Sequence, residues 1–165
     1  MAKWGMDFVN SIRDRKVPPP PFAAHLKFPE CMRLDEIEEG RVVQTWTVPP
    51  HFTLHDGIVQ GGLLGTIADA GQTFALLTTH EAFETWPTLD FHMRFVRPIK
   101  AGEAVRVESQ VINKSKNNAV IETTLTSADG KLLARVTGGW ARADRQRELL
   151  PSAPKPQDSE IPCGS

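Results

Sequence analysis

The sequence predicts an α+β fold in which an antiparallel sheet curls around one long buried helix, and three observations carry that expectation. The segment from Gly61 to about His80 is long enough for a helix and apolar on nearly every face, so other structure must wrap it. Two short strand-like runs precede it. Four more follow at hairpin spacing.

Taken in order, residues 3–15 place Trp4, Phe8 and Ile12 four apart, the pattern of a short amphipathic helix, and Pro18 to Pro21 stop it. Met32 to Ile37 suits a strand, Glu38-Glu39-Gly40 a turn, and Arg41 to Val48 a second strand ended by Pro49-Pro50. A loop with His51, His55, Asp56 and Gly57 leads into the long helix. Then come Thr88 to Phe95, alternating strictly, Ala104 to Ile112, and Ala119 to Ser127, separated by Pro98 to Gly102 and Asn113 to Asn118. Asp129-Gly130 turns into a last strand, Lys131 to Arg142. The expected organisation is a helix and proline-rich linker over 1–20, one folded domain over 21–148, and a disordered proline-rich tail over 149–165.

With 165 residues, 40% of them hydrophobic and 24% charged, the chain can bury one core. A formal net charge of -1 without long like-charge runs gives no argument for nucleic acid or an anionic membrane as partner. The N-terminus has no apolar leader pattern, and the apolar stretch 61–79 is broken by Asp69, Gln72 and glycines, so the expectation is a cytoplasmic protein. Cys31 and Cys163 read as free thiols. His51 and His55 share a loop, but without a third ligand no metal is expected, and no cofactor.

Between Arg41 and Arg94 there is no Lys or Arg, yet Asp69 falls in the middle of the apolar helix, where an isolated carboxylate is costly to bury. It is either hydrogen-bonded structure or an active-site carboxylate. Gly61-Gly62 opens the helix, either as permissive turn geometry or as unpaired amides suited to a developing oxyanion. Gly62 and Asp69 share a face but stand about 10 Å apart along the axis. Two antiparallel copies of the helix would bring the glycines of one subunit to Asp69 of the other, which predicts a composite site in a homodimer or homotetramer. Thr73, one turn after Asp69, shares its face.

Gly57-Ile58-Val59-Gln60-Gly61-Gly62, followed seven residues on by Asp69, resembles the glycine-rich helix start of the PaaI-like hot-dog acyl-CoA thioesterases, in the 4-hydroxybenzoyl-CoA thioesterase-like superfamily. Phe95-Val96-Arg97-Pro98-Ile99-Lys100-Ala101-Gly102 is similar to the family's second signature, an aromatic-x-Arg-Pro-x-x-x-Gly run, and the Asp129-Gly130-Lys131 turn fits too. The resemblance spans about residues 30 to 143. It implies a hot-dog fold, Asp69 as acidic catalyst, the Gly61 amide as oxyanion donor, and Gln60, Gly62, Thr73 and Thr88 near the substrate. Where many relatives carry Asn or Gln three residues before the equivalent of Gly57, this chain has Leu54, and His55 is the nearby candidate to replace it. Arg94, Arg97, Lys100, Lys114 and Lys116 are the cations it implies for CoA phosphates. Thioester hydrolysis suits so sparse a site, because a thiolate of conjugate-acid pKa roughly 8.5 leaves with little help. Asp69 would act as general base or as nucleophile.

Two rivals stand beside this reading. A hot-dog hydratase or dehydratase would pair His55 with Asp69, fourteen residues on, although Gly-Gly and Gln60 keep the thioesterase register. A non-catalytic acyl-CoA-binding module would keep the dimer and the cleft without turnover.

Overall fold

The computed structural model describes residues 3–143. The proline-rich tail and Cys163 lie outside the described residues.

Helix α1 (Trp4–Arg13) forms where the apolar repeat predicts it. It docks through Gly5, whose amide donates to the His80 carbonyl at 3.0 Å. A Cβ at Gly5 would sit 1.7 Å from the Leu77 carbonyl oxygen, so only glycine lets the two backbones meet. Two short helices that the sequence reading did not anticipate follow, α2 (Pro21–His25) and α3 (Phe28–Cys31). Each carries a proline in its first turn, where the missing N–H costs nothing, and together they lay Ala23 and Phe28 into the core.

The six strands are β1 (Met32–Glu38), β2 (Arg41–Thr47), β3 (Thr88–Phe95), β4 (Ala104–Lys114), β5 (Asn118–Ser127) and β6 (Leu132–Ala141). They form one sheet of order β1-β2-β4-β5-β6-β3, and every pairing is antiparallel. Gly40 and Gly130, at φ of +74° and +80°, close the β1–β2 and β5–β6 turns in the left-handed region that favours glycine. Strand β3 comes before β4 in sequence yet lies beyond β6, and so forms one edge of the sheet.

The long helix, α4 (Gly61–Leu77), packs on the face formed by inward residues of β2, β4, β5 and β6. Ile67 and Ala68 from the helix meet Trp46, Val105, Val107, Leu125 and Val136 from the sheet in one core. Burial of each large aliphatic there contributes about 1.5–3 kcal/mol. Gly71 brings the helix close to β4, since a Cβ would lie 2.4 Å from Ser109 Oγ. Four polar side chains, Gln44, Gln72, Ser109 and Thr123, are buried at this contact. Ser109 and Thr123 share a 2.8 Å hydroxyl pair, and Gln72 Oε1 accepts from Trp140 Nε1 at 2.9 Å. On the outer face Arg41 pairs with Glu36, Glu38 and Glu108.

Two expectations need correction. The helix ends at Leu77 rather than near His80, because Thr78 and Thr79 turn their hydroxyls back onto the Ala75 and Leu76 carbonyls, at 2.6 and 2.7 Å. Strand β3 does not alternate strictly. Its register with β6 shifts between Thr88 and Asp90, so Thr88 pairs with Trp140, Asp90 with Gly139, and Leu89 has no partner. Leu89 is 53% exposed, whereas strict alternation with Phe91, Met93 and Phe95 would turn it inward.

Candidate active site

Gly61, Gly65, Asp69 and Thr73 recur every four residues of α4 and so form one stripe along the helix. Strand β3 runs beside that stripe in the opposite direction. A Cβ on Gly61 would lie 3.2 Å from the Phe95 ring, and one on Gly65 would lie 3.4 Å from Met93 Sδ. At the far end the Thr88 hydroxyl donates to Asp69 Oδ1 at 2.7 Å. The glycines thus let the edge strand lie close against the helix, and the carboxylate takes the one position where the strand offers a hydroxyl.

Asp69 is half-buried. Burial pushes its carboxyl above the usual range, and the Thr88 hydrogen bond, the smaller influence, pulls it back down. A carboxylate made more basic by desolvation, yet aimed by one hydroxyl, can accept a proton from water or attack an electrophile. Thr88 reaches it because the bulge at Leu89 puts Thr88 opposite the buried Trp140.

At the other end of the stripe, the Gln60 side chain caps the helix, its Oε1 accepting from the Leu63 amide at 3.1 Å. Gly61 and Gly62 occupy the first helical positions, where amides have no acceptor within the helix. Beside them opens a cleft of about 270 Å³ lined by Ile58, Val59, Gly61, Leu64, Phe95 and Arg97, among others. It is largely apolar, with Arg97 as its cation.

The other sequence-predicted residues are placed as follows. Thr73 is half-buried one turn beyond Asp69. His55 is exposed in the loop before the helix, and the described partner of Asp69 is Thr88. Arg94, Lys100 and Arg97 are exposed near the cleft end, Arg97 donating to the Leu132 carbonyl at 2.6 Å. Lys114 lies at the C-terminal end of α4, where it donates to Thr79 Oγ1 at 2.8 Å and sits 5.5 Å over the Trp86 ring, with Lys116 in the turn that follows. One chain therefore does not gather its five implied CoA cations at a single point. His51 is held by the Leu26 carbonyl at 3.1 Å, and among the described residues no three His, Cys, Asp or Glu side chains come together as a metal ion would need. Cys31 is a free, half-buried thiol. Among the described residues no helix is long and apolar enough to cross a membrane.

Sequence reasoning did not single out His80, which is buried at the end of α4 with neither ring nitrogen hydrogen-bonded. It also left out Asp90 and Gly139, whose contact lies at the bulge. A hydrophobic pattern marks neither of them, because one is a loop histidine and the others follow from a change of strand register.

Residues 56–134 match the family described as Thioesterase superfamily. The human protein acyl-coenzyme A thioesterase 13 is 32% identical over 97 residues, which cover 58% of this chain and 69% of that one. Among solved structures, a mutant of the phenylacetic acid degradation protein PaaI from Thermus thermophilus is 26% identical, with a TM-score of 0.64 over 74% of this chain and 99% of its own. The E. coli PaaI protein from the phenylacetic acid degradation operon superposes with a TM-score of 0.71 at 19% identity, over 86% and 96% of the two chains, a likeness of fold.

Proposed function

Because the chain belongs to the Thioesterase superfamily as a PaaI-like hot-dog member, we propose that it hydrolyses the thioester bond of an acyl-CoA, with Asp69 as the catalytic carboxylate. The observation that carries this reading is the half-buried Asp69, raised in basicity by its apolar helix and aimed by the Thr88 hydroxyl. Asp69 takes the proton of a water that attacks the thioester carbon, or attacks that carbon itself to give a mixed anhydride that water then opens. In either course the carbonyl oxygen becomes an oxyanion and the CoA thiolate leaves.

The oxyanion donor is the Gly61 amide at the helix start, supported by Gly62. That amide and Asp69 are about two turns of one helix apart, roughly 10 Å or more, too far to act on one carbon. The site is therefore shared, with the Gly61 amide of one subunit facing Asp69 of another in a homodimer or a larger assembly. The edge position of β3 and the exposure of Leu89, Phe95 and Val96 on or beside it support a second copy meeting this edge. Gln60 orients the loop over the substrate, Thr73 lies beside the reacting group, and Arg94 and Arg97 stand nearest the cleft for CoA phosphates. Lys114 and Lys116 would serve a CoA that reaches the other end of the helix. The exposure of His55 weighs against the hydratase reading.

Subunit complementation tests the shared site. Asp69→Asn and Gly61→Val assemblies should each be nearly inactive, and co-refolded mixtures should regain up to about half of the wild-type activity per mixed dimer. Mixtures no better than the separate variants would refute a site built from two chains.

A further inference from the structure

The sequence of β3 carries a conflict of parity. Leu89, Phe91, Met93 and Phe95 alternate as one apolar face, and a regular strand would point all four at α4 and Thr88 away from it. The bulge breaks that pattern, so the leucine goes outward and the threonine takes the inward place opposite Trp140. Something must hold the bulge against the preference of Leu89 for burial.

The contact present at that point is unusual for a strand. The Gly139 amide on β6 donates to the side-chain Oδ1 of Asp90 at 3.1 Å, where a regular ladder would use a main-chain carbonyl. Glycine at 139 is what leaves the Asp90 carboxylate room to sit on this amide. A Cβ there would lie 2.9 and 3.0 Å from the two Asp90 carboxylate oxygens, and 3.2 Å from the carbon between them. Its neighbour Gly138 leaves room for Gln72 and Phe91 in the same way, with a Cβ position 2.0 Å from Gln72 Oε1.

We propose that Asp90, seated on Gly139, is a positioning residue that clamps the β3 bulge and so fixes the Thr88 hydroxyl on Asp69. This rests on the thioesterase reading for its kinetic consequence, although its structural half stands on the geometry alone. Asp90 acts through Thr88, and its carboxylate touches neither Asp69 nor the substrate in the course proposed.

The test compares Asp90→Ala, Asp90→Asn, Gly139→Ala and Thr88→Val by steady-state acyl-CoA hydrolysis and by carboxyl-carbon NMR titration of Asp69. Asp90→Ala should lower kcat by about tenfold or more with little change in KM, matching Thr88→Val, since both cost the hydrogen bond to a charged acceptor. Both should raise the pH at which Asp69 titrates, and with it the acid limb of kcat/KM, because the Thr88 bond is what pulls that carboxyl down. Asp90→Asn keeps an oxygen for the Gly139 amide and should remain within about threefold of wild type, a rescue that mere loss of stability would not give. In the Thr88→Val background, Asp90→Ala should change kcat less than about twofold. A folded Asp90→Ala with wild-type kcat and unmoved Asp69 titration would overturn the proposal, as would effects of the two substitutions that multiply. If no acyl-CoA is turned over, the thioesterase reading fails, and the NMR titration alone still decides whether Asp90 acts through Thr88. If Asp90→Ala does not fold, Gly139→Ala, which pushes the carboxylate away, decides by the same measurements: an Asp69 titration raised as in Thr88→Val supports the clamp, and an unmoved one overturns it.

Discussion

His80 should make the protein acid-labile over a defined range. Its ring is buried, neither nitrogen is hydrogen-bonded, and Trp86 stacks at a tilt with ring centroids 5.8 Å apart. Burial is the main reason that its pKa falls from 6.5 to about 4. Lys114 and Arg142 push it the same way, and Glu84, with an oxygen 4.0 Å away, opposes them. The folded chain thus resists protonation while the unfolded chain accepts it, so stability is lost as pH falls from about 6.5 toward about 4. At pH 5 the linkage amounts to about 2 kcal/mol, and it levels off near about 3 kcal/mol below pH 4. The assay is urea unfolding of wild type and His80→Leu at pH 7 and pH 5 at one protein concentration. Wild type should lose about 2 kcal/mol more than the variant between the two pH values, whatever their difference at pH 7. Equal losses would refute the argument that a neutral His80 is what the fold requires.

Other substitutions test the packing. Gly71→Ala should cost about 1–3 kcal/mol in urea unfolding, because its Cβ would meet Ser109 Oγ at 2.4 Å and Gln44 Oε1 at 2.9 Å. Trp140→Phe should cost about 1–3 kcal/mol in the same assay, because it removes the donor to the buried Gln72 Oε1. Gly5→Ala should detach α1, seen as faster proteolysis after Arg13 and Arg15 with the core otherwise intact, since its Cβ cannot fit 1.7 Å from the Leu77 carbonyl.

What was legible in the sequence follows from what periodicity encodes. The long apolar segment could only be a wrapped helix, and hairpin spacing held for β1–β2, β4–β5 and β5–β6, so the fold class was readable, but β3 follows the same spacing and pairs with β6 instead of β4. Asp69 stood out because no cation accompanies it along that stretch. The bulge at Leu89 was hidden, because an alternating pattern reads the same whether or not one residue is looped out of register. The helices α2 and α3 were hidden for another reason: prolines that read as stops in one segment serve as first-turn residues in the next. The position of Lys114, far from Arg97 along α4, depends on strand order, which local sequence does not carry.

The central claim is tested most directly by thiol release from a panel of short, long and aryl acyl-CoAs, with wild type and Asp69→Ala side by side and folding and assembly checked. The account predicts turnover of at least one substrate, falling by at least about a hundredfold in the folded variant, the size expected of a general acid-base group. Turnover that survives the substitution would remove Asp69 as the catalyst, and no turnover across the panel would contradict the assignment of the chain as an acyl-CoA thioesterase.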